Sequence, residues 1–118
     1  MYKILRKSSE NKIGIIFKVD VESRDFDTLL PFLERELQMK ESLRILVDLK
    51  DVTNTDLLSI FKVVVFHFRY NSSLEKQALV TDNISVIRLA NVMSFLTRKE
   101  IRCFPTYNHE QAWEWIEK

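Results

Sequence analysis

Glycine is the residue that this sequence lacks most clearly. Average usage of about 7% would give roughly eight glycines in a chain of this length, and the 118 residues contain one, Gly14. Phosphate-binding loops, dinucleotide-binding turns and nucleophile elbows each need several glycines close together, because the backbone must approach the ligand or turn with positive φ. The composition therefore excludes these three enzyme motifs.

Cysteine and net charge are scarce as well. The single cysteine, Cys103, excludes an intramolecular disulfide and is consistent with a reducing compartment, so we expect a cytoplasmic protein. The 18 basic and 17 acidic side chains leave a net charge of +1, which gives nucleic-acid binding little electrostatic support. Glu100 interrupts the one local basic cluster, Arg98, Lys99 and Arg102, which we interpret as a solvated loop.

Long apolar runs are also missing. The longest, residues 57–68, is interrupted by Ser59, Lys62 and His67 and is too short for a helix that spans a membrane, which needs about 20 apolar residues. The N-terminal residues alternate charged and apolar side chains and lack the apolar core of a secretory signal. We therefore expect no transmembrane segment, although peripheral contact with a membrane is compatible with the sequence.

The spacing of apolar residues predicts a single α/β domain over residues 1–118, with the element order ββαβαβαβα and a largely parallel sheet. Residues 57–70 are ambiguous by pattern alone. Their β-branched and aromatic side chains favour a strand, whereas the length of the segment is more typical of a helix. The order above holds if this segment is a helix. The predicted strands are 2–6, 12–21, 43–49, 76–81 and 101–104, and the predicted helices are 25–41, 85–97 and a last one from 108, with 57–70 left open by the pattern.

Each predicted helix has an apolar face that identifies its buried side. In the first helix, Pro31 leaves two alternatives: the helix begins near Thr28, or it kinks at the proline. In the last helix, Asn108 and Gln111 have the spacing of a capping box. In chain order the faces are Phe26, Leu29, Leu30, Leu33 and Leu37; Leu57, Phe61, Val64, Val65 and Phe68; Val86, Leu89, Ala90, Met93 and Leu96; and Ala112, Trp115 and Ile116.

Three segments resemble one known family. These are LVDL at 46–49, ALVTD at 78–82 and the ending IRCFPTYNHEQAWEWIEK at 101–118, which are similar to the SpoIIAA-like family of STAS-fold proteins. The resemblance implies a mixed sheet of four to five strands flanked by about four helices, with a helix at 57–70. It also implies a role as a carrier of non-polar molecules or as a regulatory partner.

The sequence departs from this pattern where relatives that act as anti-sigma factor antagonists carry a phosphoacceptor serine. Their D-S-S-G turn aligns with Asp56, Leu57, Leu58 and Ser59, so the aspartate is retained and the serines and the glycine are lost. A leucine cannot be phosphorylated, and Ser59 lies one turn further into the helix. A phosphorylated switch would have to use Ser59 or Thr55 instead.

Few side chains offer catalytic or metal chemistry. Carboxylates near the end of the central strand could serve acid–base work or hold Mg²⁺, but we interpret Asp51 and Asp56 as solvated charges of the loop and of the helix N-terminus. The two histidines and the cysteine lack the spacing of a metal site, and Arg102 points to the opposite face of the strand from the thiol beside it. We expect no catalytic residues, no metal and no cofactor. The side chains considered are Asp48, Asp51, Asp56, His67, His109 and Cys103.

The second helix carries more apolar surface than one sheet face can cover, since nine of the twelve residues at 57–68 are apolar. Neighbouring helices, a second subunit or an apolar ligand could cover the excess. Trp115 is assigned to the buried face of the last helix, which turns Trp113 away from that face and adds to the apolar surplus. Trp113 could stack on His109, four residues earlier. The candidate binding surface is Phe61, Val64, Val65, Phe68 and Trp113.

These observations lead to two hypotheses. The first is a non-enzymatic SpoIIAA-like domain that binds an apolar small molecule or a lipid, or forms a homodimer through the second helix. The alternative is a regulatory protein-interaction module, related to the anti-sigma factor antagonists but without their usual phosphoacceptor serine.

Overall fold

In a computed structural model, the described part of the chain forms a five-stranded sheet with helices on both faces. The structure describes residues 1–5, 10–18, 21–52 and 57–118, with side chains at all of these positions except 57, 58, 60 and 61. The strands are β1 (Tyr2–Ile4), β2 (Lys12–Phe17), β3 (Leu43–Asp48), β4 (Leu74–Val80) and β5 (Glu100–Phe104). The α-helices are α1 (Phe26–Met39), α2 (Leu57–Tyr70), α3 (Ile84–Thr97) and α4 (His109–Glu117).

The order of the strands in the sheet follows their order in the chain. β1 is antiparallel to β2, and every later pair of neighbouring strands is parallel. Parallel neighbours need crossover connections, which helices α1, α2 and α3 supply. The predicted fold class and element order are therefore confirmed, and residues 57–70 form a helix.

The alternation of side chains along β3 divides the core into two layers. Leu43 and Ile45 pack in one cluster with α1 and α2, whereas Leu46, on the other face, packs with α4. α3 joins the first face through Ala90 and Met93. The sheet therefore has three helices on one face and α4 alone on the other.

Gly14 determines how α4 packs. Its backbone lies in β2 beside Leu46 of β3, and a Cβ atom added to it would lie 2.5 Å from Cζ2 of Trp113. The indole therefore occupies the space that a side chain at this position would take. Trp113 is buried and Trp115 is only partly buried, so the assignment of Trp115 to the buried face was wrong.

The partly exposed Trp115 lies at the C-terminal end of α4, where two cations from the sheet meet the helix. Arg44 Nη1 donates to the carbonyl of Ile116 at 2.7 Å, and Lys76 Nζ donates to that of Trp115 at 3.3 Å. The Lys76 ammonium also lies 5.0 Å from the centre of the Trp115 ring. Cations favour helix C-termini, where carbonyl groups lack partners within the helix, so these contacts fix α4 on the sheet.

Both helices begin within one residue of their predicted starts, and two finer predictions about those starts were wrong. α1 begins at Phe26, after a short 3-10 turn, Ser23–Asp25, so Pro31 lies inside the helix and the alternative start near Thr28 is excluded. At α4, the Asn108 side chain accepts no capping hydrogen bond. A 3-10 turn precedes that helix and holds Asn108 at φ −110° and ψ 35°, outside the extended conformation that an N-cap side chain requires.

Two predicted apolar faces also need correction. In α3, Leu96 is exposed and Thr97 is buried instead, since Thr97 continues the stripe of Met93 and its hydroxyl donates to the Met93 carbonyl at 2.7 Å. Among the described side chains of α2, Ser59 and Phe66 are buried, whereas Val65 and Phe68 of the predicted stripe are exposed. Leu57 and Phe61 of that stripe lie outside the described side chains.

Candidate functional site

An apolar cavity of about 180 Å³ lies between the sheet and the three helices on its first face. Its floor includes Ile45 of β3 and Ile101 of β5, and its roof includes Leu33 of α1, Val63 of α2 and Met93 of α3. Each of these elements contributes its inward apolar side chains, as strand alternation and helical periodicity require. The cavity is therefore a property of the interface between layers, not of one loop.

Among the described lining residues, three are polar: Ser59 and His67 of α2 and Gln77 of β4. Ser59 and Gln77 are buried and His67 is partly buried. His67 Nδ1 lies 2.9 Å from the carbonyl oxygen of Val63, one turn earlier in α2, and its Nε2 contacts Oε1 of Gln77. This pair of side chains, His67 and Gln77, connects α2 to the middle of the sheet, and we call it the His67–Gln77 pair.

The structure divides the candidate surface that the sequence predicted. Val64 is partly buried and lines the cavity, whereas Val65 and Phe68 are 39% and 55% exposed on the outside of α2. Trp113 lies on the opposite face of the sheet, in the α4 cluster. Phe61 lies outside the described side chains. These residues therefore do not form one surface.

A second exposed apolar group, on α3, was missed by the sequence reasoning. Phe95 is 83% exposed, and Ile84, Val92 and Leu96 are also exposed. A signal for it was present, because α3 has apolar residues on more than one side and we assigned only one of those sides to the core. We refer to these four residues as the α3 outer face.

On the α4 side, a buried carboxylate, an imidazole and an indole form a chain of contacts. Asp48 is fully buried at the end of β3. Its Oδ1 accepts the backbone N–H of Lys50 at 2.9 Å, and its Oδ2 lies 2.8 Å from Nδ1 of His109. Nε2 of His109 accepts the indole N–H of Trp113 at 3.0 Å. The two rings meet edge-on, with centroids 6.5 Å apart, and are not stacked.

These contacts limit the chemistry available to His109. A carboxylate beside Nδ1 is the arrangement that orients an imidazole base toward a nucleophile, but that base would act through Nε2. Here Nε2 is occupied by the Trp113 indole. In the neutral ring the proton then lies on Nδ1, the nitrogen beside Asp48. The arrangement joins the start of α4 to the end of β3 and leaves no ring nitrogen facing a substrate.

The other polar candidates are dispersed. Asp51 is exposed in the turn after β3, and Asp56, Leu57 and Leu58 lie outside the described residues or side chains. Ser59 is fully buried, so a kinase could reach its hydroxyl only if α2 opened. Among the residues that the structure describes, no three metal-ligand side chains come together.

The thiol of Cys103 is partly buried, and burial raises its pKa because the thiolate loses solvation. Of the predicted basic loop, the Arg102 guanidinium lies 5.4 Å from the centre of the Phe104 ring, on the α4 side of the sheet. Arg102 and the Cys103 thiol therefore lie on opposite faces of the sheet, and the guanidinium does not activate the thiol. Cys103 is therefore part of the packed α3 side of the sheet.

The mixed sheet and its flanking helices define an α/β domain of the SpoIIAA-like class. A family model described as SpoIIAA-like matches residues 13–117, so this chain belongs to the SpoIIAA-like family. No curated protein matches its sequence at a significant level. No helix in the described part of the chain has the length and apolar character needed to cross a membrane.

A solved structure supports the same fold. The chain is similar to an uncharacterised protein of the DUF3478 family from Shewanella loihica PV-4, whose crystal structure is described as having a SpoIIAA-like fold. The two superpose with a TM-score of 0.73 over 98% of this chain and 92% of that chain, at 15% sequence identity. At this identity the likeness shows the fold alone.

Proposed function

We propose that this chain is a non-enzymatic binding domain whose ligand is an apolar small molecule held in the cavity between the sheet and helices α1, α2 and α3. The cavity itself carries the proposal. Its volume is about 180 Å³, and an engineered apolar cavity of about 150 Å³ in another protein binds benzene. A molecule with one aromatic ring, or an aliphatic molecule of similar volume, therefore fits.

The cost of an empty cavity supports this proposal. When large core side chains are truncated, destabilisation rises with the volume of the cavity left behind, so unfilled volume in a core is unfavourable. Domains of this size have a net stability of only about 5–15 kcal/mol. A ligand that fills the cavity restores the missing dispersion contacts and stabilises the fold by binding the native state.

Para-xylene is a suitable probe, because it is apolar and has one ring. We expect it to bind with 1:1 stoichiometry in calorimetry and to raise the unfolding temperature in a concentration-dependent way. The cavity variant is Ala90→Leu, because Ala90 is buried and lines the cavity on α3. The matched control is Asn91→Leu, which places the same leucine side chain at an exposed position of the same helix.

Ala90→Leu should bind para-xylene at least tenfold more weakly and remain as stable as the wild type, because the added atoms occupy free volume. Asn91→Leu should bind as the wild type does. The proposal fails if the wild type binds neither para-xylene nor para-cresol, the phenol of the same shape, or if Ala90→Leu is folded and binds para-xylene as tightly as the wild type does. Native mass spectrometry of gently purified protein tests separately for a retained apolar ligand.

The α3 outer face favours a second candidate function, contact with the surface of an anionic membrane. Residues 83–99 contain three basic side chains, Arg88, Arg98 and Lys99, and no acidic one. Arg88 and Arg98 are exposed, near an apolar face that includes the 83% exposed Phe95. Exposed apolar side chains flanked by cations are the pattern of helices that lie in the membrane interface.

Sedimentation with lipid vesicles tests this second candidate. We expect binding to vesicles that contain phosphatidylglycerol and little binding to phosphatidylcholine alone. Phe95→Ser should weaken binding, whereas Tyr107→Ser is the matched control, since Tyr107 is an equally exposed aromatic residue outside α3. Equal loss in both variants, or no vesicle binding, would reject the candidate. Concentration-dependent dimerisation that Phe95→Ser abolishes would assign the face to a second copy instead.

A further inference from the structure

The His67–Gln77 pair is a polar group in the largely apolar lining of the cavity. From it we infer that the ligand carries one neutral hydroxyl group, which hydrogen-bonds to this pair while the rest of the molecule fills the apolar volume. The inference rests on the proposed function, because it assigns the chemical class of the ligand in the same cavity.

The position of the pair places a hydrogen-bonding group inside the cavity and not at its rim. Gln77 is in the middle of β4, between Ile45 of β3 and Ile101 of β5 in the sheet, and all three residues line the cavity. Gln77 is also buried. A ligand lying on this apolar floor therefore meets the amide directly.

The hydrogen-bonding capacity of the pair indicates a hydroxyl group. A primary amide has a carbonyl oxygen and an NH₂ group, and one of these two ends contacts the His67 ring. Neutral imidazole carries one N–H, and both contacts of the ring are to carbonyl oxygens. If Nδ1 donates to the Val63 carbonyl, Nε2 must accept, and the amide must turn its NH₂ group to the ring.

In either orientation, one end of the Gln77 amide is directed to the ring and the other end is left for another partner. That end is an acceptor in one orientation and a pair of donors in the other. A hydroxyl group both donates and accepts, so it matches both. A hydrocarbon would match neither and would leave the end facing apolar surface.

The same wall disfavours an anionic ligand. No lysine or arginine is among the described residues that line the cavity, and an ion transferred into an apolar site without a charged partner loses far more solvation than a neutral group does. A neutral alcohol or phenol therefore fits, and a carboxylate of the same size does not.

The test compares para-cresol with para-xylene, which differ by one hydroxyl group in place of one methyl group and have the same shape. A third ligand, para-toluate, adds a carboxylate. Calorimetry measures their dissociation constants for the wild type and for His67→Leu/Gln77→Leu. This variant removes both polar partners, because removing one alone would leave the other unpaired in the wall.

We expect the dissociation constant of para-cresol, relative to that of para-xylene, to rise by about tenfold in the double variant, the loss that follows when a buried hydroxyl has no partner. Para-xylene should bind the double variant at least as tightly as the wild type, because no unpaired amide end then faces it, and para-toluate should bind neither protein. An unchanged cresol-to-xylene ratio, or preferred binding of para-toluate, overturns the hydroxyl assignment while the proposed function stands. Failure of both neutral ligands to bind the wild type overturns both.

Nuclear magnetic resonance provides a readout on the wild type, which serves if the double variant does not fold. The side-chain amide resonances of Gln77 and the ring nitrogens of His67 should shift on addition of para-cresol and shift much less with para-xylene. Equal shifts with both ligands would show that the hydroxyl does not contact the pair and would overturn the inference.

Discussion

Gly14→Ala adds a single carbon at the position where α4 packs on the sheet. The new Cβ would lie 2.5 Å from Cζ2 and 2.7 Å from Cη2 of Trp113, and 3.0 Å from Cδ1 of Leu5. Real Cβ atoms do not approach other carbons so closely, and the nearest neighbour is a rigid ring that is itself 2% exposed. Trp113 must therefore move, or α4 must shift away from the sheet.

The magnitude follows from two opposing effects. In the middle of a strand, replacement of glycine by alanine ordinarily stabilises a protein by roughly 0.5–1 kcal/mol, because the unfolded chain loses conformational freedom. Overpacking of a closely packed core costs about 1–3 kcal/mol. Because the contacts are shorter than van der Waals distances, we expect the second effect to dominate and the free energy of unfolding to fall by about 2 kcal/mol.

Urea denaturation followed by far-ultraviolet circular dichroism measures this loss without relying on tryptophan fluorescence, which the substitution itself would change. A loss of 2 kcal/mol corresponds to a fall of roughly 8 °C in unfolding temperature for a domain of this length. Trp113→Phe provides the control, because phenylalanine lacks the outer ring atoms that the new Cβ would meet. In that background Gly14→Ala should cost at least about 1 kcal/mol less.

A Gly14→Ala variant as stable as the wild type would refute the reasoning. So would an equal loss in the two backgrounds, because the cost would then not arise from the indole. In either case the absence of a side chain at Gly14 would need another explanation, such as a requirement during folding.

The remaining predictions concern other contacts. His109→Phe should lower the free energy of unfolding by about 1–3 kcal/mol, because the buried carboxylate beside it loses its partner, and should shift the Trp113 indole N–H resonance; no resonance shift would contradict the observed contact. Cys103, whose pKa burial raises, should react with iodoacetamide more slowly in the folded than in the unfolded protein. Equal reaction rates in the two states would contradict the burial of the thiol. Because burial raises the pKa only in the folded state, the free energy of unfolding should also fall as the pH rises above the ordinary thiol range. Lys76→Met should cost about 0.5–1 kcal/mol in urea denaturation, and a smaller effect at high salt than at low salt would be consistent with the loss of a charge contact. Phe68→Ser should abolish any dimer that sedimentation detects in the wild type if α2 mediates self-association, and an unchanged dimer would assign it to another surface.

The fold could be predicted from the sequence because it depends on patterns that repeat along each element. The short apolar run of β3, and the apolar spacing of α1 and α3, identify these elements without knowledge of their neighbours. The ambiguous residues 57–70 are different, because pattern alone left a strand and a helix open. The resemblance to a family favoured the helix, and the structure confirms it.

The choice between the two tryptophans of α4 could not be made from periodicity. Successive helical residues are rotated by about 100°, so Trp113 and Trp115 each lie within one third of a turn of the Ala112–Ile116 stripe. The missing side chain of Gly14 decides between them, and that residue is about a hundred positions away in the chain. Neither local sequence shows this complementarity between Gly14 and Trp113.

The site was predicted only in part for the same reason. The apolar excess of α2 was visible in the composition of residues 57–68, and it predicts that something beyond one sheet face covers this helix. A count of apolar residues cannot show whether they meet or leave a space, because that depends on how three helices rest on one sheet. The His67–Gln77 pair could not be predicted from the sequence either, because the two residues belong to different elements that only the fold brings into contact.

The two faces of the sheet therefore respond in opposite ways to added volume. On the α4 side a single methyl group at Gly14 has no space, because the indole of Trp113 already fills it. On the other side the cavity leaves about 180 Å³ unfilled, so the three additional carbons of Ala90→Leu should cost little stability and should reduce ligand binding. The contrast between these two variants separates the closely packed face from the face for which we propose ligand binding. Loss of stability in Ala90→Leu comparable to that in Gly14→Ala would show that both faces are packed alike and that the cavity has no room for a ligand.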